Sequence, residues 1–241
     1  MADRAKMIEA EVRSRADPEF ARTVTRFFKT GPGEYGEGDL FLGVRAGRLE
    51  AIARYNRDLP TGEIARLLAS PLHEVRMVAV RILRGHYRTA GSERDKMCLY
   101  RFYEQHSGRV DNWDLIDISA PWIIGGELLA GRRAATIRRQ AGAPDLWTRR
   151  RAVVGTLGPV RTGQTTFAIE IAGIAISDHR DLTQKAVGWV LREVGKHDRP
   201  GLDRFLEERG REMGRTAVRY AIELHPEPVR RRLLASTRPA P

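Results

Sequence analysis

The chain has 241 residues, 41% of them apolar, and 30% charged, which fits a folded globular protein and excludes a disordered or fibrous one. Lysine and arginine outnumber aspartate and glutamate by 42 to 31, mostly as arginine, and the net charge of +11 points to a polyanionic partner, since the planar guanidinium fork suits phosphate. The single cysteine, Cys98, excludes internal disulfides and a multi-cysteine zinc site, and no uncharged run is long enough to span a membrane. A cytoplasmic, reducing setting is expected, with Cys98 serving as a small buried hydrophobe in its apolar run Met97-Cys98-Leu99-Tyr100.

In chain order, Asp17-Pro18 followed by Phe20, Ala21, Val24, Phe27 and Phe28 predicts a capped amphipathic helix. The pattern then stops. Residues 30–43 hold five glycines and a proline around Tyr35, a loop long enough to suggest function, and Phe41-Leu42-Gly43-Val44-Arg45 closes it. From Gly47 onward nearly every segment reads as helix. Ser70-Pro71 opens one with an apolar stripe of Leu72, Val75, Ala79, Ile82 and Leu83, leaving Arg76, Arg81, Arg84 and Arg88 mostly off it. Ser92 and Asp95 form a capping-box signal, Asn112 can cap the next helix, and Pro121 should limit or kink it. Gly125-Gly126 reads as a turn or cap between helices. Further helices are predicted near 145–157, 166–177, 181–196, 202–209, 216–224 and 228–235, with a disordered tail at 236–241.

No segment alternates as a strand does, so the predicted fold class is all-α. Arg76, Trp113, Arg150 and Trp189 recur at gaps of 37, 37 and 39 residues, the period of HEAT or armadillo-type helix pairs. The expectation is one repeat domain over 1–241, five to six helix pairs forming a monomeric solenoid, with Trp113, Asp117, Arg150 and Trp189 converging on a concave basic wall that takes a duplex by its backbone.

Trp113 and Asp117 lie four residues apart and so on one helical face; an indole and a carboxylate together suit a cation. The plainer reading is a core tryptophan beside a solvated aspartate. Arg149-Arg150-Arg151 point to three sides of a helix: either Arg150 or Arg151 clamps a phosphate, or the row is a solvated basic face. Trp189 and Arg192 repeat the theme three residues apart, and Gly188 before them suggests close packing or ligand approach, although Trp189 also reads as plain core. Six scattered histidines lack metal-ligand spacing, and no phosphate-loop or nucleophile-elbow motif occurs; neither a metal nor a cofactor is expected.

Five stretches carry a resemblance: Arg26-Phe27-Phe28-Lys29-Thr30-Gly31-Pro32-Gly33-Glu34-Tyr35, Phe41-Leu42-Gly43-Val44-Arg45, His73-Glu74-Val75-Arg76, Asn112-Trp113-Asp114-Leu115-Ile116-Asp117, and Gln184 to Arg192. Together, from Arg26 to Arg192, they resemble the AlkD-like DNA alkylation repair glycosylases of the HEAT-like-repeat type. The resemblance implies hydrolysis of the N-glycosidic bond of cationic N3- or N7-alkylated purines in double-stranded DNA, without metal or cofactor. It implies that Asp117, a turn after Trp113, stabilises the sugar cation and places water, that Trp189 is the second aromatic, and that Arg150 and Arg192 contact phosphates. Arg45, Arg76, Arg151 and Tyr35 complete the expected DNA contacts.

The chain departs from the family pattern at Asn112, where relatives often carry a second tryptophan, at Arg45, where they carry glutamine, and in its longer glycine loop. The loop and Arg45 are therefore expected to adjust contacts near the lesion, toward bulky adducts of genotoxic natural products as in self-resistance relatives. A HEAT-repeat protein that binds damaged or branched DNA without catalysis, and a protein-binding scaffold, are the other function classes considered.

Overall fold

The computed structural model describes residues 3–238, and among them the β-type pairing is limited to an isolated parallel bridge between Leu40 and Leu72. The fold is all-α, of the helical-repeat kind, and the chain divides into two compact units, the boundary after Ser119 falling inside one helix.

The first unit contains α1 (Arg4–Arg13), α2 (Pro18–Phe28), α3 (Ala46–Tyr55), α4 (Thr61–Leu68), α5 (His73–Thr89), α6 (Glu93–Gln105), and the opening of α7 (Trp113–Leu129). Asp17 caps α2, its Oδ1 accepting the N–H groups of Glu19 (3.1 Å) and Phe20 (3.0 Å), as the Asp-Pro signal predicts. At α6 the Ser92 hydroxyl accepts the Asp95 N–H (3.1 Å) and donates to its carboxylate (2.7 Å). Cys98 is exposed, contrary to expectation. The buried residues of α6 are Tyr100 and Tyr103, and two residues back from Tyr100 is about 200° round the helix. α1 escapes a reading based on its charges, yet Ala5, Ile8 and Val12 are buried at helical spacing and Asp3 accepts the Lys6 N–H at 3.2 Å.

α5 is the centre of this unit, with α3, α4 and α6 packed on it. Its first half is buried all round, His73, Glu74 and Arg76 included, so the arginine expected to lie off the apolar stripe is interior. What covers that polar side is the glycine-rich loop.

The second unit holds the rest of α7, α8 (Ala134–Ala141), α9 (Leu146–Gly155), α10 (Leu157–Val160), α11 (Thr166–Ala175), α12 (Asp181–His197), α13 (Arg199–Arg209), α14 (Arg215–Ala221) and α15 (Glu227–Ser236). α7 runs through Pro121, which has no N–H to give the carbonyl of Asp117 one turn earlier. Gly125-Gly126 lies within this helix and is not a turn. A Cβ on Gly125 would come within 2.7 Å of Gly158 Cα, so the glycine serves a backbone-to-backbone crossing of α7 and α10. α12 packs against α9, α11, α13 and α14. Its Gly188 faces α14, where a Cβ would lie 2.6 Å from the Ala217 carbonyl oxygen; close packing accounts for the glycine.

The chain end is more ordered than expected. Ser236 belongs to α15, and Thr237 is buried, its hydroxyl donating to Leu233 O (2.7 Å) and accepting from Arg215 (3.3 Å); residues 239–241 lie outside the described residues. Arg76, Trp113, Arg150 and Trp189 fall in α5, α7, α9 and α12. No helix among the described residues is long and apolar enough to cross a membrane.

Candidate active site

The opening of α7 is built from its inward residues. Asn112 is fully buried: its Oδ1 accepts the Trp113 N–H (2.8 Å) and its Nδ2 donates to Asp39 (3.0 Å). Leu115, Ile116 and Ser119 are also fully buried, Ser119 bonding Tyr103 at 2.9 Å. With these fixed inward, Trp113 and Asp117 share a half-buried face one turn apart. The indole stacks on Phe28 with ring centres 4.9 Å apart and planes 12° from parallel. Phe28 meets Phe41 at 4.6 Å, and Phe41 stacks on His73 at 4.4 Å. Trp113 is thus the outer member of an aromatic stack, which neither the core reading nor the ligand reading of the sequence contained.

The glycine loop is fastened at both ends. Glu74 accepts the N–H groups of Leu42 (2.9 Å), Gly43 (2.7 Å) and Val44 (3.2 Å), which joins two of the sequence stretches in one motif. Gly43 has φ +79°, and a Cβ there would collide with the Asp17 carbonyl, so glycine is required. Tyr35, half-buried, donates its hydroxyl to Phe27 O at 2.9 Å. Arg76 bonds Asp39 (2.9 Å), pairs with Asp111 (3.3 Å) and donates to Ser70 O (3.3 Å) while 3% exposed, so it braces the loop and is not a surface phosphate contact.

His73 is the residue sequence reasoning passed over except as a motif letter. Its Nδ1 meets Asp39 at 2.7 Å and its Nε2 meets Asp114 at 2.8 Å. Burial alone would lower its pKa, but the two carboxylates outweigh burial and push it up to about 9. Burial likewise opposes ionisation of Asp39, yet His73, Arg76 and Asn112 hold its carboxyl below the usual range. Arg45 lies exposed with its guanidinium 4.5 Å from the Phe20 ring centre, beside a hollow of about 290 Å³ lined by Arg15, Asp17, Gly43, Arg45 and Arg48.

In the second unit the arginine row is not a solvated face. Arg149 pairs with Asp178 at 2.6 Å, Arg150 donates to Leu182 O at 2.7 Å and Arg151 bonds the Thr148 hydroxyl at 3.2 Å; Arg150 and Arg151 are each 4% exposed. Burial acts against the charge on Asp178, but Arg180, Thr183 and Arg149 hold its carboxyl far below the usual range. Arg150 thereby ties α9 to the first turn of α12, the helix of Trp189 and Arg192. Trp189 is half-buried; Arg192 pairs with Glu223 (2.5 Å) and Glu193 (3.2 Å).

No curated protein matches the sequence. A solved structure described as "Predicted DNA alkylation repair enzyme from Enterococcus faecalis" shares the fold at TM-score 0.66 and 17% identity, the alignment covering 88% of this chain and 98% of that one. The family model for "DNA alkylation repair enzyme" matches residues 8–224, from α1 to the residues just after α14 and across both the α7 and α12 stretches. A match over nearly the whole chain, on an all-helical fold with the Trp113–Asp117 helix at its midpoint, makes the protein a member of the DNA alkylation repair enzyme family.

Proposed function

We propose that the protein is a DNA glycosylase that hydrolyses the N-glycosidic bond of alkylated, cationic purines in duplex DNA, within the DNA repair role its family carries. The observation that carries the reading is the Trp113–Asp117 pair on one half-buried face of α7. An N3- or N7-alkylated purine already bears positive charge and leaves readily, so the need is to stabilise the oxocarbenium-like sugar. A carboxylate does this, as in glycoside hydrolysis, and an aromatic face assists. The C1′–N bond breaks with its electron pair going to the base, water adds at C1′ under Asp117 and loses a proton, and a free alkylpurine and an abasic site result, the substrate of base excision repair.

Trp189 and Arg192 take the roles the resemblance assigns, as second aromatic and phosphate contact; Arg150, 4% exposed and bound to Leu182 O, is an internal strut as Arg76 is, and Arg45 beside its basic hollow is suited to backbone phosphate. The protein acts as a monomer, and the fastened glycine loop with Arg45 widens the substrate range toward bulky adducts; deleting 31–38 should then cost more activity on a bulky minor-groove adduct than on a methyl adduct. The test of the reading is incubation with duplex containing one 7-methylguanine, scored for free base and for strand cleavage at the abasic site. Release of intact 7-methylguanine is expected. Tight, salt-dependent binding with no base released would favour a non-catalytic damage binder.

A further inference from the structure

The two partners of His73 dictate its charge. Each ring nitrogen faces a carboxylate, Nδ1 at 2.7 Å and Nε2 at 2.8 Å, and a carboxylate only accepts hydrogen bonds. Both bonds exist together only if both nitrogens carry hydrogen or a carboxyl holds the proton. Asp39 is poorly placed to hold it, because Arg76 Nη2 (2.9 Å) and Asn112 Nδ2 (3.0 Å) already donate to its two oxygens. Asp114 accepts the Leu115 N–H at 2.8 Å through its other oxygen. The remaining charges nearby are Asp111, paired with Arg76, and Glu74, turned to the backbone of Leu42 to Val44; α2 and the segment after the loop contribute only Phe28 and Phe41.

We infer that His73 is a positioning residue: a buried imidazolium that clamps the end of the glycine loop, through Asp39, to the first turn of α7, through Asp114, and so sets the plane of the Trp113 indole. The route to the indole is the ring stack, His73 to Phe41 to Phe28 to Trp113. Loss of the proton removes one of two donors, sets two carboxylates against a neutral ring, and weakens the cation's hold on the Phe41 face. A histidine pushed up to about 9 keeps the clamp closed at neutral pH and opens it in mild alkali. The consequence for catalysis rests on the glycosylase reading; the clamp itself does not.

The test uses the whole protein. Histidine ring and tryptophan indole NMR signals are followed from neutral to alkaline pH, the Trp113 indole being assigned with Trp113→Phe. The signal of His73 should titrate near 9, and the Trp113 indole should move with the same midpoint. Single-turnover release of 7-methylguanine should fall about tenfold between pH 8 and 10, tracking the protonated fraction, while DNA affinity changes less than about twofold. Asp114→Asn removes one of the two carboxylates and should lower both midpoints together by about one unit or more. A His73 signal titrating at its ordinary position, or an indole signal indifferent to it, overturns the clamp; base release that stays level through a linked titration overturns its consequence for catalysis. Linked titration of His73 and Trp113 in a protein that releases no base supports the clamp and counts against the glycosylase reading alone.

Discussion

Two regions hold charge out of water in this protein, and they do so in opposite ways. Around the glycine loop, carboxylates are the organisers: Glu74 gathers three backbone N–H groups, and Asp39 collects His73, Arg76 and Asn112. Around α9 and α12 the arginines are the organisers, Arg149 on Asp178 and Arg150 on a backbone carbonyl. A net charge of +11 therefore overstates the cationic surface, because several of its arginines are internal struts.

The comparison can be broken first at Glu74. Glu74→Ala leaves three N–H groups of the loop without their acceptor and should cost about 4 kcal/mol of stability, measured by urea unfolding, with the loop becoming sensitive to protease. Asp178→Ala should cost about 3 kcal/mol, since it strands the Arg149 guanidinium and the Thr183 hydroxyl.

His73 in one region and Asp178 in the other should also respond to pH with opposite sign. The folded pKa of His73, about 9, lies above the ordinary imidazole value of 6.5, so its stabilisation is complete below 6.5 and is lost as pH rises through 9. The folded pKa of Asp178 is depressed, so its stabilisation is present above the ordinary carboxylate value of 3.8 and is lost as pH falls below it. Thermal melts across pH should show alkaline loss abolished in a His73 variant and acid loss reduced in an Asp178 variant. The smallest effect belongs to Arg45→Ala: stability should change by less than about 0.5 kcal/mol, and the log–log salt slope of DNA affinity should fall by roughly 0.9, one phosphate contact.

Much of this was readable without coordinates, for identifiable reasons. The caps at Asp17 and Ser92 are local, and the helix stretches from α9 onward follow apolar spacing, so both survive translation into structure. What failed was any inference about the polar side of a helix. Periodicity marks the apolar face of α5 but cannot say that residues 39–44 fold over the other face and bury Arg76 and Glu74. The His73 bonds span 34 and 41 residues, and their partners carry no special spacing. Gly125-Gly126 looks like a turn because the glycines' reason, the backbone of Gly158, is distant in sequence. The Trp113–Asp117 pair was legible because four residues on a helix make neighbours by geometry alone.

The central claim is that Asp117 acts on the sugar and not on DNA affinity. Its most direct test is single-turnover base release from a duplex carrying one 7-methylguanine, by the natural chain and by Asp117→Asn, with the dissociation constant for the same duplex measured alongside. The account predicts that Asp117→Asn binds within about twofold of the natural chain while base release falls about a thousandfold. Release by Asp117→Asn at the natural rate would contradict it.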